Sequence, residues 1–137
     1  MTVNDRTGLE ELGDSQCWEL LGSKSIGRLA VSIANHPDIF PVNYRLTGQQ
    51  LLIRSAPGIK LAAATLGTAV AFEVDALDEE THAGWSVVLQ GTAEELQKRE
   101  DLDAAEALDI EPWAHSSKHR FFWIKATKIT GRRIPTD

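Results

Sequence analysis

The sequence predicts a mainly β domain: a barrel or sandwich of about six short strands, joined mostly as hairpins, with short helices. Two observations carry this. Large apolar residues recur at every second position along several short runs, the period of a strand with one packed face. Gly, Pro and Asn fall between those runs, where they turn the chain back on itself. Closing such a sheet into a small barrel also removes its exposed edges.

Residues 1–13 read as a mobile arm anchored by Leu9 and Leu12. A helix is predicted from Asp14 or Ser15, both good N-caps, with Cys17, Trp18, Leu20 and Leu21 on its apolar side and Gly22 at its end. Residues 26–33 form a strand with Leu29, Val31 and Ile33 on one face. Asn35-His36-Pro37-Asp38 is a turn. Residues 40–46 are the second strand, with Val42, Tyr44 and Leu46 on one face and Asn43 and Arg45 on the other. Pro41 requires a place in that strand where no ladder N–H is needed. Thr47-Gly48-Gln49 reverses the chain into Leu51-Leu52-Ile53-Arg54, so these two strands are antiparallel.

The stretch Ile53-Arg54-Ser55-Ala56-Pro57-Gly58-Ile59-Lys60-Leu61 breaks at Pro57-Gly58 and resumes as an Ala/Leu-rich helical run that ends at Gly67. A strand that turns into a helix aims free N–H groups and the positive helix end at one point, where a phosphate is stable. Arg54, Ser55 and Lys60 add donors around that point. On the residues alone the stretch reads equally as a phosphate cradle or as a surface turn with solvated cations.

Residues 68–74 are a nearly continuous apolar strand that finishes in Glu73-Val74-Asp75, and residues 78–81 are a polar turn. The next strand starts at Trp85 and continues past a bulge at Gly91 towards Leu96. The competing reading takes Thr92-Ala93-Glu94-Glu95 as a capping box that opens a helix. Residues 100–108 are helical by propensity until Pro112 stops the run. Residues 114–120 are a polar loop, and residues 121–129 are the last strand.

A chain of 137 residues makes one domain, 1–137, large enough to bury a real core. No apolar run approaches the roughly 20 residues of a membrane span, and the N-terminus lacks an apolar signal region. A cytoplasmic location is expected, and the single Cys17 suits a reducing compartment as a buried helix residue. The net charge of −6 argues against a nucleic-acid partner; a local basic pocket in an acidic chain suits a small anionic ligand. His115 and His119 have the spacing of a metal pair, but their Pro- and Ser-containing loop does not read as a helix, and no metal site is assigned. His36 and His82 read as solvated turn residues, and Asp101, Asp103, Glu106 and Asp109 as an exposed acidic helix face. No Ser-His-Asp arrangement or glycine-rich dinucleotide fingerprint is present, and no catalytic residue is assigned.

Several pieces, taken in order, resemble a known family. They are Ile26-Gly27-Arg28-Leu29-Ala30-Val31, Phe40-Pro41-Val42-Asn43-Tyr44, the turn from Ile53 to Lys60, Val70-Ala71-Phe72-Glu73-Val74-Asp75, Gly84-Trp85-Ser86-Val87 and Ile129-Thr130-Gly131-Arg132-Arg133. Together they resemble the pyridoxamine 5′-phosphate oxidase-like proteins, the flavin-binding split β-barrels, and among them the short bacterial members. The resemblance implies a six-stranded antiparallel split barrel that forms a homodimer, with FMN in each of two clefts between subunits. It implies a phosphate site at Arg54, Ser55, Lys60 and Leu61, and a flavin ring along the backbone of Pro41, Val42, Asn43 and Tyr44. Trp85 and Ser86 would close the cleft, partly from the second subunit.

The function so implied is an oxidoreductase that passes hydride or electrons to a small organic acceptor, with no call for a nucleic acid or a membrane. Vitamin B6 oxidation is not expected, because the chain lacks the extra C-terminal basic residues of the larger oxidases. Two other readings stand beside this one. A deazaflavin could replace FMN, with Lys24, Arg28 and Lys125 as candidates for its longer acidic tail. Alternatively, the barrel could carry a flavin or haem without turnover.

Overall fold

The computed structural model describes residues 2–3, 6–55, 69–111 and 120–135. At the N-terminus, β1 (Thr2–Val3) pairs with β2 (Glu10–Glu11), which pairs with the end of the last strand. Within residues 1–13, Leu12 is the apolar anchor, 8% exposed in the core. Helix α1 (Asp14–Leu21) follows, capped by Gly13 rather than by Asp14 or Ser15. Asp14 lies inside the first turn, where its carboxylate faces the positive helix end. Gly22 closes the helix, as its sequence position predicts.

Six strands then close a ring. β3 (Ile26–Ile33) pairs with β4 (His36–Thr47), and β4 with β5 (Gln50–Ser55). β6 (Ala69–Leu77) joins β3 to β7 (Gly84–Glu95), and β8 (Arg120–Arg133) closes the barrel between β7 and β5. All of these pairings are antiparallel.

Two tight reversals set the registers of the first half. Ala34 and Asn35 both adopt left-handed backbone, φ 50° and 67°, so Ile33 pairs directly with His36. Left-handed residues at both central positions match the twist of the flanking strands. The expected turn at Asn35-His36-Pro37-Asp38 is therefore displaced, and His36, Pro37 and Asp38 begin β4 instead. Ala at positive φ gives no turn signal in the sequence, which explains the slip. The second reversal, Gly48-Gln49, lies where the sequence puts it, with Gly48 at φ 60°.

β7 runs on past Gly91 to Glu95, with a register shift between Gln90 and Gly91. The bulge reading holds, and the alternative helix at Thr92 does not form. Any side chain at Gly91 would collide with the backbone of Lys125 and Ala126, so the close approach of β7 to β8 needs glycine there. β8 is longer than predicted, because Gly131, Arg132 and Arg133 continue the ladder with β7.

Leu29, Val42, Tyr44, Leu51, Ile53, Phe72 and Ile124 fill the barrel, and Cys17 and Leu21 of α1 plug one end. Burial pushes the Cys17 thiol up from its ordinary pKa, with a smaller push from the Asp14 charge. The Tyr44 hydroxyl donates to the Leu21 carbonyl and ties the end of α1 to β4. Burial holds that phenol well above its usual range. Tyr44→Phe should destabilise the fold by about 1 kcal/mol, the scale of a lost buried hydrogen bond. An unchanged denaturation midpoint would show that the bond contributes nothing.

β5 is buried on both faces, which the run Leu51-Leu52-Ile53 foreshadows. Leu52 points away from the barrel into a second cluster with Leu96, Ala105, Ile110 and Phe121. Helix α2 (Arg99–Ala107) covers this side, and its residues Asp101, Asp103 and Glu106 are exposed as expected. The helical run expected up to Gly67 and the loop expected over 114–120 lie outside the described residues, except Arg120, which opens β8.

Candidate functional site

The site is built around β4, whose two edges are used differently. Towards β3 it is paired along its length, from Ile33↔His36 to Ile26↔Asn43. Towards β5 it is paired only from Asn43↔Arg54 onward. Residues 36–42 therefore present an open edge among the described residues.

The chemistry of that edge follows from the ladder. The Tyr44 N–H donates to the Ser25 carbonyl at 3.0 Å, so residues 36, 38, 40, 42 and 44 turn their backbone polar groups towards β3. Residues 37, 39 and 41 then face the open edge. Pro37 and Pro41 have no N–H to offer. The Ile39 N–H is taken by Asp38 Oδ1 at 3.0 Å. What remains is a row of carbonyl acceptors, a surface that suits a flat ligand with N–H groups on its rim and discourages edge-to-edge pairing with another strand. It also explains how a strand interior accommodates Pro41, whose absent N–H would have pointed away from β3.

The other predicted site residues divide by position. Val42 and Tyr44 are buried in the core at 5% and 2% exposure, and their backbone groups belong to the β3 ladder. Asn43 is half-buried on the outer face, with its backbone paired to Arg54. Arg54 and Ser55 end β5 beside the open edge, both half-buried. Lys60 and Leu61 lie outside the described residues.

Trp85 packs on the barrel core at the start of β7, and Ser86 lies next to it on the outer face, opposite Asp75 and Arg132. Ser86 lines a small cavity of about 160 Å³ with Glu73, Thr130 and Arg132. β8 pairs with both β5 and β7, but Arg54 lies opposite Phe121 and Ser86 opposite Arg132, at far ends of that strand, so one protomer does not bring Ser86 next to Arg54. Lys24, Arg28 and Lys125 are likewise scattered. Lys24 lines a cavity of about 490 Å³ with Arg45 and Asp109. Arg28 lies 3.4 Å from Asp75 and 3.7 Å from Glu73. Lys125 lies 3.7 Å from Glu94.

Arg54 has a setting that no sequence pattern indicated. Its Nη1 donates to the Ile110 carbonyl at 3.0 Å and lies 3.9 Å from a Glu106 carboxylate oxygen. Its guanidinium sits 5.4 Å from the centre of the Phe121 ring, a cation–π distance. Nε is buried and has no acceptor among the described residues. The side chain is only 13% exposed, so the strand end carries a largely desolvated positive charge.

This architecture recurs in solved proteins. The chain is similar to an FAD-binding protein of Mycobacterium smegmatis, with 34% identity and a TM-score of 0.78 over 93% of this chain and 100% of that one. It is also similar to an FAD-binding protein of Mesorhizobium loti, with 27% identity and a TM-score of 0.76 over 91% of this chain and 97% of that one. An uncharacterised protein of Mycobacterium tuberculosis is 32% identical over 132 residues, 93% of this chain and 86% of the relative. The family model described as pyridoxamine 5′-phosphate oxidase matches residues 13–133, from the α1 cap through every strand of the barrel to the end of β8, and the chain belongs to that family.

Proposed function

We propose that this chain binds a flavin nucleotide and works as a homodimeric oxidoreductase on a small organic acceptor. The observation that carries the reading is the acceptor-only edge of β4 beside the strand end that holds Arg54 and Ser55. The flavin ring has an N–H flanked by carbonyls, and the Pro41 carbonyl is a fitting acceptor for it. A phosphate suits the buried positive charge of Arg54, and Lys60 adds a second cation from the following turn. When bound, the flavin supplies the hydride and electron chemistry itself. The protein's part is to hold the ring, neutralise the phosphate and keep water away.

The outer face of β4 supports a dimer. Ile39 is 64% exposed there, next to Ala30 of β3 and close to Pro41. A second copy covering this face would bury the apolar patch. It would also supply the far wall of the cleft from its own Trp85 and Ser86, which a single protomer leaves apart.

FMN is the cofactor that the sequence suggests. FAD is a second reading, favoured by the two similar structures described as FAD-binding at 34% and 27% identity. The test is to purify the protein, record its flavin absorption, release the cofactor by denaturation and separate FMN from FAD by chromatography. We expect a yellow dimer whose flavin is reduced by a nicotinamide donor. A colourless protein that takes up neither FMN nor FAD in a titration would end this reading. A tightly held flavin that no nicotinamide donor reduces would leave a carrier rather than an enzyme.

A further inference from the structure

We infer that Glu106 of α2 competes with a phosphate-bearing cofactor for the guanidinium of Arg54, and so sets how tightly the site holds phosphorylated flavins. The inference rests on the flavin reading above. Arg54 connects the end of β5 to the α2 segment, through the Ile110 carbonyl at 3.0 Å and the Glu106 carboxylate at 3.9 Å. A guanidinium has five N–H donors. Nη1 is committed to Ile110, and Nε is still without an acceptor among the described residues.

The two contacts differ in kind. Ile110 is buried at 4% exposure, and its carbonyl holds the α2 segment against β5. Glu106 has a side chain 58% exposed and stands beyond hydrogen-bond distance from Nη1. Its contribution is therefore charge rather than anchoring. Among the described residues it is the only carboxylate within 4.0 Å of Arg54. A phosphate that approaches this guanidinium must share it with Glu106 and meets the repulsion of the carboxylate. The Ile110 bond is neutral on the acceptor side and can persist with phosphate bound. By linkage, a phosphate on Arg54 and the Glu106 contact weaken each other by the same factor.

The test compares FMN and riboflavin, which share the ring and differ by the phosphate, in titrations of the full-length apo-dimer. Glu106→Gln keeps shape and removes the charge; the side chain is exposed enough for the fold to survive. We expect this variant to bind FMN about two- to fivefold more tightly at low salt, the range of an exposed ion pair. Riboflavin affinity should not change, and the gain for FMN should shrink as salt is raised. Glu100→Gln, at the opposite end of α2, controls for net charge and should leave FMN affinity unchanged. An unaltered or weaker FMN affinity in Glu106→Gln would overturn the inference. So would an equal gain for riboflavin, or an equal gain from Glu100→Gln. Wild-type protein that binds neither FMN nor FAD would overturn the flavin reading itself, and this inference with it.

Discussion

Phe72→Ala should lower the unfolding free energy by about 3–5 kcal/mol, the largest loss expected from any single substitution discussed for this chain. The ring is fully buried, and it meets Tyr44 edge-on, with centroids 4.8 Å apart and planes at 72°. Gly27 lies directly beneath it, and a Cβ there would overlap the ring. Glycine and phenylalanine are thus a matched pair across β3 and β6, in register as near neighbours of Leu29↔Phe72. The β3–β6 seam is also short, with pairing only at Arg28↔Glu73, Leu29↔Phe72 and Ala30↔Ala71. Loss of the ring opens a cavity where the barrel has few backbone bonds to hold it. Urea denaturation of the purified variant reads the effect. A loss below about 1.5 kcal/mol would mean that neighbouring side chains collapse into the space.

Lys60→Ala should weaken FMN binding by about 1.5–3 kcal/mol, the scale of a hydrogen bond to a charged group. That is a rise in Kd of roughly 10- to 150-fold. The lysine follows the Pro57-Gly58 break, at the start of the run that the sequence reads as a helix. On that reading of the sequence it would stand where backbone N–H groups and a positive helix end favour a phosphate. Calorimetric titration of the apo-protein with FMN measures the change, and riboflavin, lacking the phosphate, should bind the variant and the wild type alike. If FMN affinity is unmoved, the phosphate is held elsewhere than at this turn. This variant and Glu106→Gln are expected to act in opposite directions, because one removes an attraction and the other a repulsion at the same phosphate.

Much of the fold was legible because hairpins are local. The alternation of Leu29, Val31 and Ile33 and the Gly48 reversal each arise from residues close together in the chain. Local sterics and side-chain period act at that range, so they leave a pattern that can be read directly. The cap of α1 was less legible, since Asp14 and Ser15 are good N-caps by type and the packing of Leu12 and Cys17 decided for Gly13. The turn at Ala34-Asn35 was missed because only twist matching between the strands puts an alanine at positive φ. For the candidate site, the residue types around Arg54 and Ser55 could be picked out, but their surroundings could not.

The order of residues by itself determined a β-rich chain of paired short strands, its tight Gly48 reversal and an arginine at the end of β5. Tertiary structure alone decided that β7 meets β8 to close the ring, that β4 has an edge of carbonyls unpaired among the described residues, and that Arg54 is shared between Ile110 and Glu106. Strand period and turn preference are encoded within a few residues of each other. Closure and charge pairing instead join positions distant in the chain, such as Arg54 and Ile110 at a separation of 56, and depend on which surfaces find apolar cover.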